Sequence, residues 1–204
     1  HNPILDYIRA IGSQLQFVSR SEYRRRHDAD YLESLSLDPL DILIPEGGST
    51  PAALAAVGKA FTETIDQLQT APDYFCLSAG TGCTAAGVIK AAADCSTVVE
   101  VYPALGGSWM RGEIEGWLGR PVDNYRVQLI EDYIFGGYAK FPAHWQLSKP
   151  DNSLAKRADI GIPGLPPLEP VYTAKVFAGV LDRIERGIYP RGSTVVVLHT
   201  GGIY

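Results

Sequence analysis

The chain has 204 residues, of which 46% are hydrophobic and 20% are charged, a composition typical of a soluble globular protein. The net charge of −5 gives no basic surface for nucleic acid, and neither a signal peptide nor the run of about 20 apolar residues needed for a membrane span is present. The odd set of Cys76, Cys83 and Cys95, without repeated spacing, predicts neither a disulfide framework nor a metal site. It favours a reducing, cytoplasmic compartment.

The N-terminal part predicts short elements. A helix is expected over residues 3–10, ended by Gly12, and a short strand over 15–18. A charged helix over about 22–35 and an apolar strand over 41–44 follow. Pro51 then opens an Ala-rich helix for which Ser49 or Thr50 can serve as N-cap.

The remaining chain alternates between strands and helices. The pattern predicts strands over 74–78, 97–102, 126–130 and 194–198, and helices over 85–93, 109–118 and 172–187. Residues 136–170 are rich in Gly and Pro and predict ordered loop with one or two short helices. Continuous apolar runs such as 195–198 are typical of strands buried on both faces. The fold class predicted is therefore α/β, with three layers: a mostly parallel sheet and helices on both faces.

A glycine-bearing loop, Gly80, Thr81, Gly82, Cys83 and Thr84, joins a predicted strand to a predicted helix. Glycines there let backbone N–H groups approach an anion at a helix N-terminus, and the two threonine hydroxyls can donate to phosphate oxygens. The loop has no lysine, which excludes a Walker A motif, and Ala85 breaks the dinucleotide fingerprint. A tight turn that simply needs glycine would give the same pattern, so both interpretations stay open at this point.

Five motifs in register extend this observation over nearly the whole chain. They are Ile-Pro-Glu-Gly-Gly-Ser at 44–49, Ser-Ala-Gly-Thr-Gly-Cys-Thr at 78–84, Gly-Gly-Tyr at 136–138, Pro-Val-Tyr-Thr-Ala-Lys at 170–175 and His-Thr-Gly-Gly at 199–202. Together they resemble the D-cysteine desulfhydrase and 1-aminocyclopropane-1-carboxylate (ACC) deaminase family of fold-type II pyridoxal-phosphate (PLP) enzymes. The resemblance implies that 1–20 end the small domain, 21–45 form a connecting helix and strand, and 46–204 form the large domain that holds PLP.

The resemblance also implies roles for single residues. Gly80, Thr81, Gly82, Cys83 and Thr84 would cradle the PLP phosphate, and Thr200 would lie close to the pyridine nitrogen. A hydroxyl at that point suits a neutral ring nitrogen, whereas a carboxylate would hold it protonated. Tyr138 and Tyr172 would face a small amino-acid substrate as the catalytic candidates, and the family implies a homodimer.

Two positions bear on the substrate. The resemblance implies that ACC deaminases have Glu at the position of Thr173 and Leu at the position of Thr200. Both threonines of this chain therefore resemble the desulfhydrase branch. We therefore expect PLP-dependent β-elimination from D-cysteine, with ACC deamination as the alternative. The motifs around Tyr172 and His199 argue against a serine or threonine dehydratase. Small-for-small departures from the family pattern leave the exact substrate open; they are Thr50, Cys83, Ala139 and Ala174.

The lysine that forms a Schiff base with PLP in this family lies in an early Asn-Lys segment. None of the six lysines here follows Asn; they are Lys59, Lys90, Lys140, Lys149, Lys156 and Lys175. We expect this chain alone to be inactive and the natural protein to be longer, since both ends look cut. A non-catalytic fragment that binds phosphate or PLP is the remaining alternative.

Overall fold

The computed structural model describes residues 3–138, 140 and 168–201. It divides into two compact units, His1–Leu43 and Ile44–Tyr204. Most of the segment predicted as ordered loop and short helices at 136–170 lies outside the described residues, as does Gly202 of the last motif. Among the described residues, no helix combines the length and the hydropathy that crossing a membrane requires.

The first unit contains three short helices, α1 (Pro3–Ala10), α2 (Arg20–Arg24) and α3 (Ala29–Ser34). The prediction of α1 is confirmed, and Gly12 follows it with a φ of 88°. The single helix predicted over 22–35 is wrong, because the chain forms two helices there, each with its own N-terminal start. Ser19 begins α2 in a reciprocal capping box with Glu22, and Asp28 takes an extended conformation that starts α3 afresh.

The strands predicted over 15–18 and 41–44 are also wrong, since neither segment is a strand in the structure. A strand needs a neighbour to pair its backbone N–H and C=O groups, and no described segment pairs with either one. Their apolar side chains lie open instead: Phe17 is 70% and Ile42 87% exposed. Apolar composition alone therefore did not produce strands here.

The second unit follows the predicted alternation closely. Its helices are α4 (Pro51–Val57), α5 (Lys59–Leu68), α6 (Cys83–Ala91), α7 (Trp109–Leu118) and α8 (Thr173–Glu185). Its strands are β1 (Tyr74–Ala79), β2 (Val98–Pro103), β3 (Val127–Leu129) and β4 (Val195–Val197), with 3₁₀ turns at Glu46–Gly48 and Val122–Asn124. Thr50 is the N-cap of α4, because its hydroxyl accepts a hydrogen bond of 3.0 Å from the Ala53 N–H.

The four strands form one sheet in the order β3-β2-β1-β4, and all three pairings are parallel. Alternate residues of β1 face two separate cores: Phe75 and Leu77 pack with α6 and α7, whereas Cys76 packs with α8. Helices therefore cover both faces, which confirms the predicted three-layer α/β fold.

Parallel pairing brings the carboxyl ends of the strands to one edge of the sheet. β1 and β4 are neighbours there, with Cys76 opposite Val197. The segment after β1 and the segment after β4 consequently meet at this edge, which is where ligands bind in open α/β sheets.

Candidate functional site

The 80–84 loop follows β1 at this edge and leads directly into α6. Gly82 is the N-cap residue of α6 and has a φ of 79°, a left-handed conformation that favours glycine. A Cβ added to Gly82 would lie 3.3 Å from the Glu113 Cβ. Glycine at this position is therefore favoured both by the left-handed backbone and by the close packing against α7.

The backbone N–H groups of this loop have no hydrogen-bond partner among the residues that the structure describes. None of the described residues accepts a hydrogen bond from the N–H groups of residues 80–85, and no side chain caps α6. Unpaired N–H groups at the start of a helix carry partial positive charge and form an anion-binding concavity. The loop is therefore set up to receive an anion.

A cavity of about 250 Å³ opens in front of the loop. It is lined by Gly47, Ser78, Ala79, Gly80, Thr81, Gly82, Thr84, Ala85, Tyr172 and Thr200. None of these residues is acidic, and their hydroxyls and the free N–H groups can donate hydrogen bonds. This donor set fits a phosphate group, whose oxygens only accept at neutral pH.

Two side chains hold the loop from outside the cavity. The Ser49 and Thr81 hydroxyls share a hydrogen bond of 2.6 Å, and the Trp117 indole donates to the Thr81 carbonyl oxygen at 3.3 Å. The sequence offered Ser49 only as an alternative N-cap for α4, a position that Thr50 takes instead. The contact of Trp117 was missed, because no sequence signal marks it.

Tyr172 reaches the loop from the start of α8. A Cβ added to Gly80 would lie 3.0 Å from the Tyr172 hydroxyl, so the ring packs directly on the loop backbone. Burial, followed by the neighbouring Tyr138, Glu169 and Glu46, raises the pKa of Tyr172 to about 12. The phenol therefore keeps its proton at neutral pH and can donate a hydrogen bond into the cavity.

Glu169 fixes the backbone at Tyr172. Its carboxylate accepts hydrogen bonds of 2.7 Å from the Val171 and Tyr172 N–H groups and of 2.6 Å from the Thr173 N–H. In return the Glu169 N–H donates to the Thr173 hydroxyl at 2.9 Å. This reciprocal cap at the start of α8 was missed from the sequence, although the acidic residue near a helix start is a recognisable signal.

Tyr138 lies one layer further out. It is 57% exposed and does not line the cavity, but its ring meets that of Tyr172 edge to face at 6.4 Å between centroids. Tyr172 and Thr200 both line the cavity, as expected. Tyr138 was expected to face the same space, but it lies outside the cavity and is joined to it through the Tyr172 ring.

Two predicted site residues turn their side chains elsewhere. Cys83 is buried, and its thiol donates to the Thr50 carbonyl oxygen at 3.9 Å, so only its backbone N–H is available to an anion. Thr173 is fully buried and bonds to Glu169, because its place in the α8 cap turns the hydroxyl inward. The assignment of Thr173 to substrate selectivity stays a prediction, and since the side chain does not line the cavity, such an influence would act through the cap.

None of the lysines in the described part of the chain lines the cavity. Lys175 is buried, and its ammonium donates to three backbone carbonyl oxygens. Lys59 begins α5 and Lys90 lies exposed on α6. Lys149 and Lys156 lie outside the described residues. The part of the chain that the structure describes therefore brings no amine to the space in front of the loop.

Comparisons with known proteins agree on one group of relatives, although no family model matches the chain. A 1-aminocyclopropane-1-carboxylate deaminase of Rhizobium radiobacter is 30% identical over 193 residues, which are 81% of this chain and 54% of that protein. A Pyrococcus horikoshii protein whose name refers to the same activity is 25% identical over 211 residues, 99% of this chain and 62% of its own length.

A solved structure of an ACC deaminase homologue superposes with a TM-score of 0.69 at 23% identity. The match covers 98% of this chain and 61% of that one, and it shows a shared fold. This chain accordingly spans about half to two thirds of the length of the relatives it matches over most of its own sequence.

Proposed function

We propose that this chain belongs to the D-cysteine desulfhydrase and ACC deaminase family of PLP-dependent enzymes, as its similarity to proteins named for ACC deamination supports, and that it holds the phosphate of PLP at its 80–84 loop. The observation that carries the proposal is the set of unpaired N–H groups at residues 80–85, which lie beside the cavity. Buried or partly buried donors without a partner are costly, and a phosphate would satisfy several of them at once.

The other lining residues extend this arrangement. The Thr84 hydroxyl is in the first turn of α6 and would donate to the same phosphate. Thr200, three residues beyond β4, would face the pyridine nitrogen with a hydroxyl. When bound, PLP supplies an electron sink for the bonds at Cα of an amino acid. Because none of the described residues lining the cavity carries a carboxylate, the site would suit reactions that demand less electron withdrawal from the cofactor.

Tyr172 would act on the substrate side. Its raised pKa keeps the phenol protonated, so it would hold a substrate carboxylate or leaving group by donating a hydrogen bond. Its position is set by the Glu169 cap rather than by the tyrosine itself. Tyr138 would extend this surface outward from the cavity.

For the whole protein we propose β-elimination from D-cysteine, with release of pyruvate, sulfide and ammonia. Thr173 and Thr200, which resemble the desulfhydrase branch, support this choice over ACC deamination. The relatives named for ACC deamination support the second candidate. β-Elimination needs only loss of the Cα proton and a good thiolate leaving group. It therefore requires less electron withdrawal by the cofactor than opening the cyclopropane ring of ACC.

The chain by itself would bind without turnover. No lysine among the described residues reaches the cavity, and Lys175 is held by three carbonyl groups. Covalent attachment of PLP and return to the resting enzyme both need such an amine. A cytoplasmic homodimer remains our prediction for the whole protein.

The experiment is a calorimetric titration of the chain with pyridoxine 5′-phosphate, which has no aldehyde and so cannot react with surface lysines. We expect binding of this compound but not of pyridoxine. Thr84→Val, which removes one donor to a charged group, should weaken binding about 10-fold or more, since such a bond contributes about 1.5–3 kcal/mol. Thr62→Val on α5, whose hydroxyl donates to the Lys59 carbonyl oxygen, is the matched control. Equal binding of both compounds would overturn the proposal.

A further inference from the structure

Lys175 is the one lysine in the described residues whose side chain is fully buried, with 1% exposure. Its ammonium donates to the carbonyl oxygens of Ala104 at 2.7 Å, Ile134 at 2.9 Å and Gly137 at 2.8 Å. An ammonium has three N–H donors, and all three are used. Burial of a charge without such partners would be unfavourable, so the three carbonyl groups and the lysine depend on each other.

The three oxygens come from two separate segments at the carboxyl edge of the sheet. Ala104 follows β2 directly, whereas Ile134 and Gly137 belong to one turn beyond β3. Three consecutive residues of this turn have positive φ: Phe135 at 55°, Gly136 at 82° and Gly137 at 136°. A left-handed Phe is unfavourable, so the turn depends on the contacts that hold it, and the ammonium provides two of them at Ile134 and Gly137.

The turn ends at Tyr138, the residue directly after Gly137. The Tyr138 ring meets Tyr172 edge to face, with an interplanar angle of 89°. Tyr172 in turn precedes α8, which carries Lys175 in its first turn. One side chain therefore links the helix that follows Tyr172 to the turn that presents Tyr138.

We propose that Lys175 is a positioning residue, which holds the 134–137 turn so that Tyr138 packs against Tyr172 at the mouth of the cavity. The importance of that pair for a substrate rests on the proposed function. The placement of Tyr138 does not, and it can be measured without any ligand. A failure of pyridoxine 5′-phosphate to bind and a failure of this inference are thus separate results.

The test uses 3-fluorotyrosine incorporated at position 138 of this chain and read by ¹⁹F NMR. Tyr172→Leu should shift the resonance, because the facing ring is lost. Lys175→Met should move it toward the value of a solvent-exposed fluorotyrosine, and adding Tyr172→Leu to that variant should then cause no further shift. Lys90→Met, on the exposed side of α6, removes the same charge and should leave the resonance in place.

A rescue experiment separates positioning from general stability. Lys175→Ala leaves a channel the length of n-propylammonium, which should restore the native ¹⁹F resonance, whereas n-propanol of the same shape should not. This comparison applies even where Lys175→Met fails to fold, since the amine should then restore the fold and the resonance together. A native resonance in a folded Lys175→Met chain, or no rescue of Lys175→Ala by the amine, would overturn the inference.

Discussion

Tyr172 keeps its proton far above neutral pH because burial and the neighbouring Tyr138, Glu169 and Glu46 disfavour the phenolate. Ultraviolet titration at 295 nm should show this as a difference between the native chain and Tyr172→Phe centred near pH 12. The pKa of Tyr172 is higher in the folded chain than in the unfolded chain, so the neutral phenol contributes to stability. This contribution is complete below a pH of about 10 and is lost as the pH rises through the folded pKa. A difference centred at the ordinary tyrosine pKa would show that Tyr172 is open to water.

Individual residues of the site could be predicted where a local pattern marks them. Gly80, Gly82, Thr84 and Thr200 belong to short motifs whose spacing reflects backbone geometry, and the structure places all four at the cavity. Lys175 could not be interpreted in that way. A lysine is expected in solvent, and only the folded chain shows which carbonyl groups surround it.

At the scale of elements, the contact between α4 and α6 depends on Gly87. A Cβ at Gly87 would lie 2.5 Å from the Leu54 carbonyl oxygen and would also overlap the Val57 side chain. Gly87→Ala should therefore lower the free energy of unfolding by about 1–3 kcal/mol, measured by urea denaturation. Because α6 carries the 80–84 loop at its start, the same change should also weaken binding of pyridoxine 5′-phosphate.

Gly116→Ala is the matched control on α7. Nothing lies within 4 Å of a Cβ added to this glycine, which is exposed within a helix. The substitution should raise the free energy of unfolding by about 0.5–1 kcal/mol, since Ala favours the helix. If both variants changed stability in the same direction, close packing at Gly87 would not be the cause.

β2 and α8 are joined by a buried polar network around Glu100, which is fully buried. Its carboxylate pairs with Arg183 at 2.9 Å and accepts from the hydroxyls of Tyr102 at 2.8 Å and Tyr189 at 2.7 Å. Glu100→Gln should cost about 3–5 kcal/mol in the free energy of unfolding, because it leaves the guanidinium without a charged partner.

Asp123→Asn provides the comparison for that network. The Asp123 side chain is 79% exposed where it pairs with Arg111, so its loss should change stability by about 0.5 kcal/mol or less. Urea denaturation of the two variants measures the contrast. A cost for Glu100→Gln as small as that for Asp123→Asn would mean that water reaches the network.

Helices and strands could be predicted from the sequence where the periodicity of apolar residues matches the faces that are buried in the fold. β1, β2 and α7 match their predicted positions within a residue or two, because each is apolar on the faces that meet the sheet or its helices. The strands expected at 15–18 and 41–44 were wrong because a strand also needs a partner, which a local pattern does not reveal. Ser19 and Asp28 are the residues at which α2 and α3 begin. Both are recognisable helix starts in the sequence, but the prediction followed the continuous run of charged residues and so joined the two helices.

In the whole molecule, the cavity for which we propose phosphate binding has no lysine beside it among the described residues. We expect the chain to release no sulfide from D-cysteine and to show no visible absorbance of a protein-bound PLP. A longer protein that adds an upstream Asn-Lys segment should show both. Sulfide release by this chain alone would mean that its catalytic lysine lies among its own six. A preference of the longer protein for ACC would contradict the interpretation of Thr173 and Thr200.

We propose that the N–H groups at the start of α6, which have no partner among the described residues, bind a phosphate ester. The most direct measurement is a ¹⁵N–¹H correlation spectrum of the assigned chain, titrated with pyridoxine 5′-phosphate. We predict that the largest shifts are those of the amides at Thr81, Gly82, Cys83 and Thr84, with downfield proton shifts as the N–H groups gain an acceptor. Saturating binding that leaves these four amides unmoved, while others shift, would contradict the account.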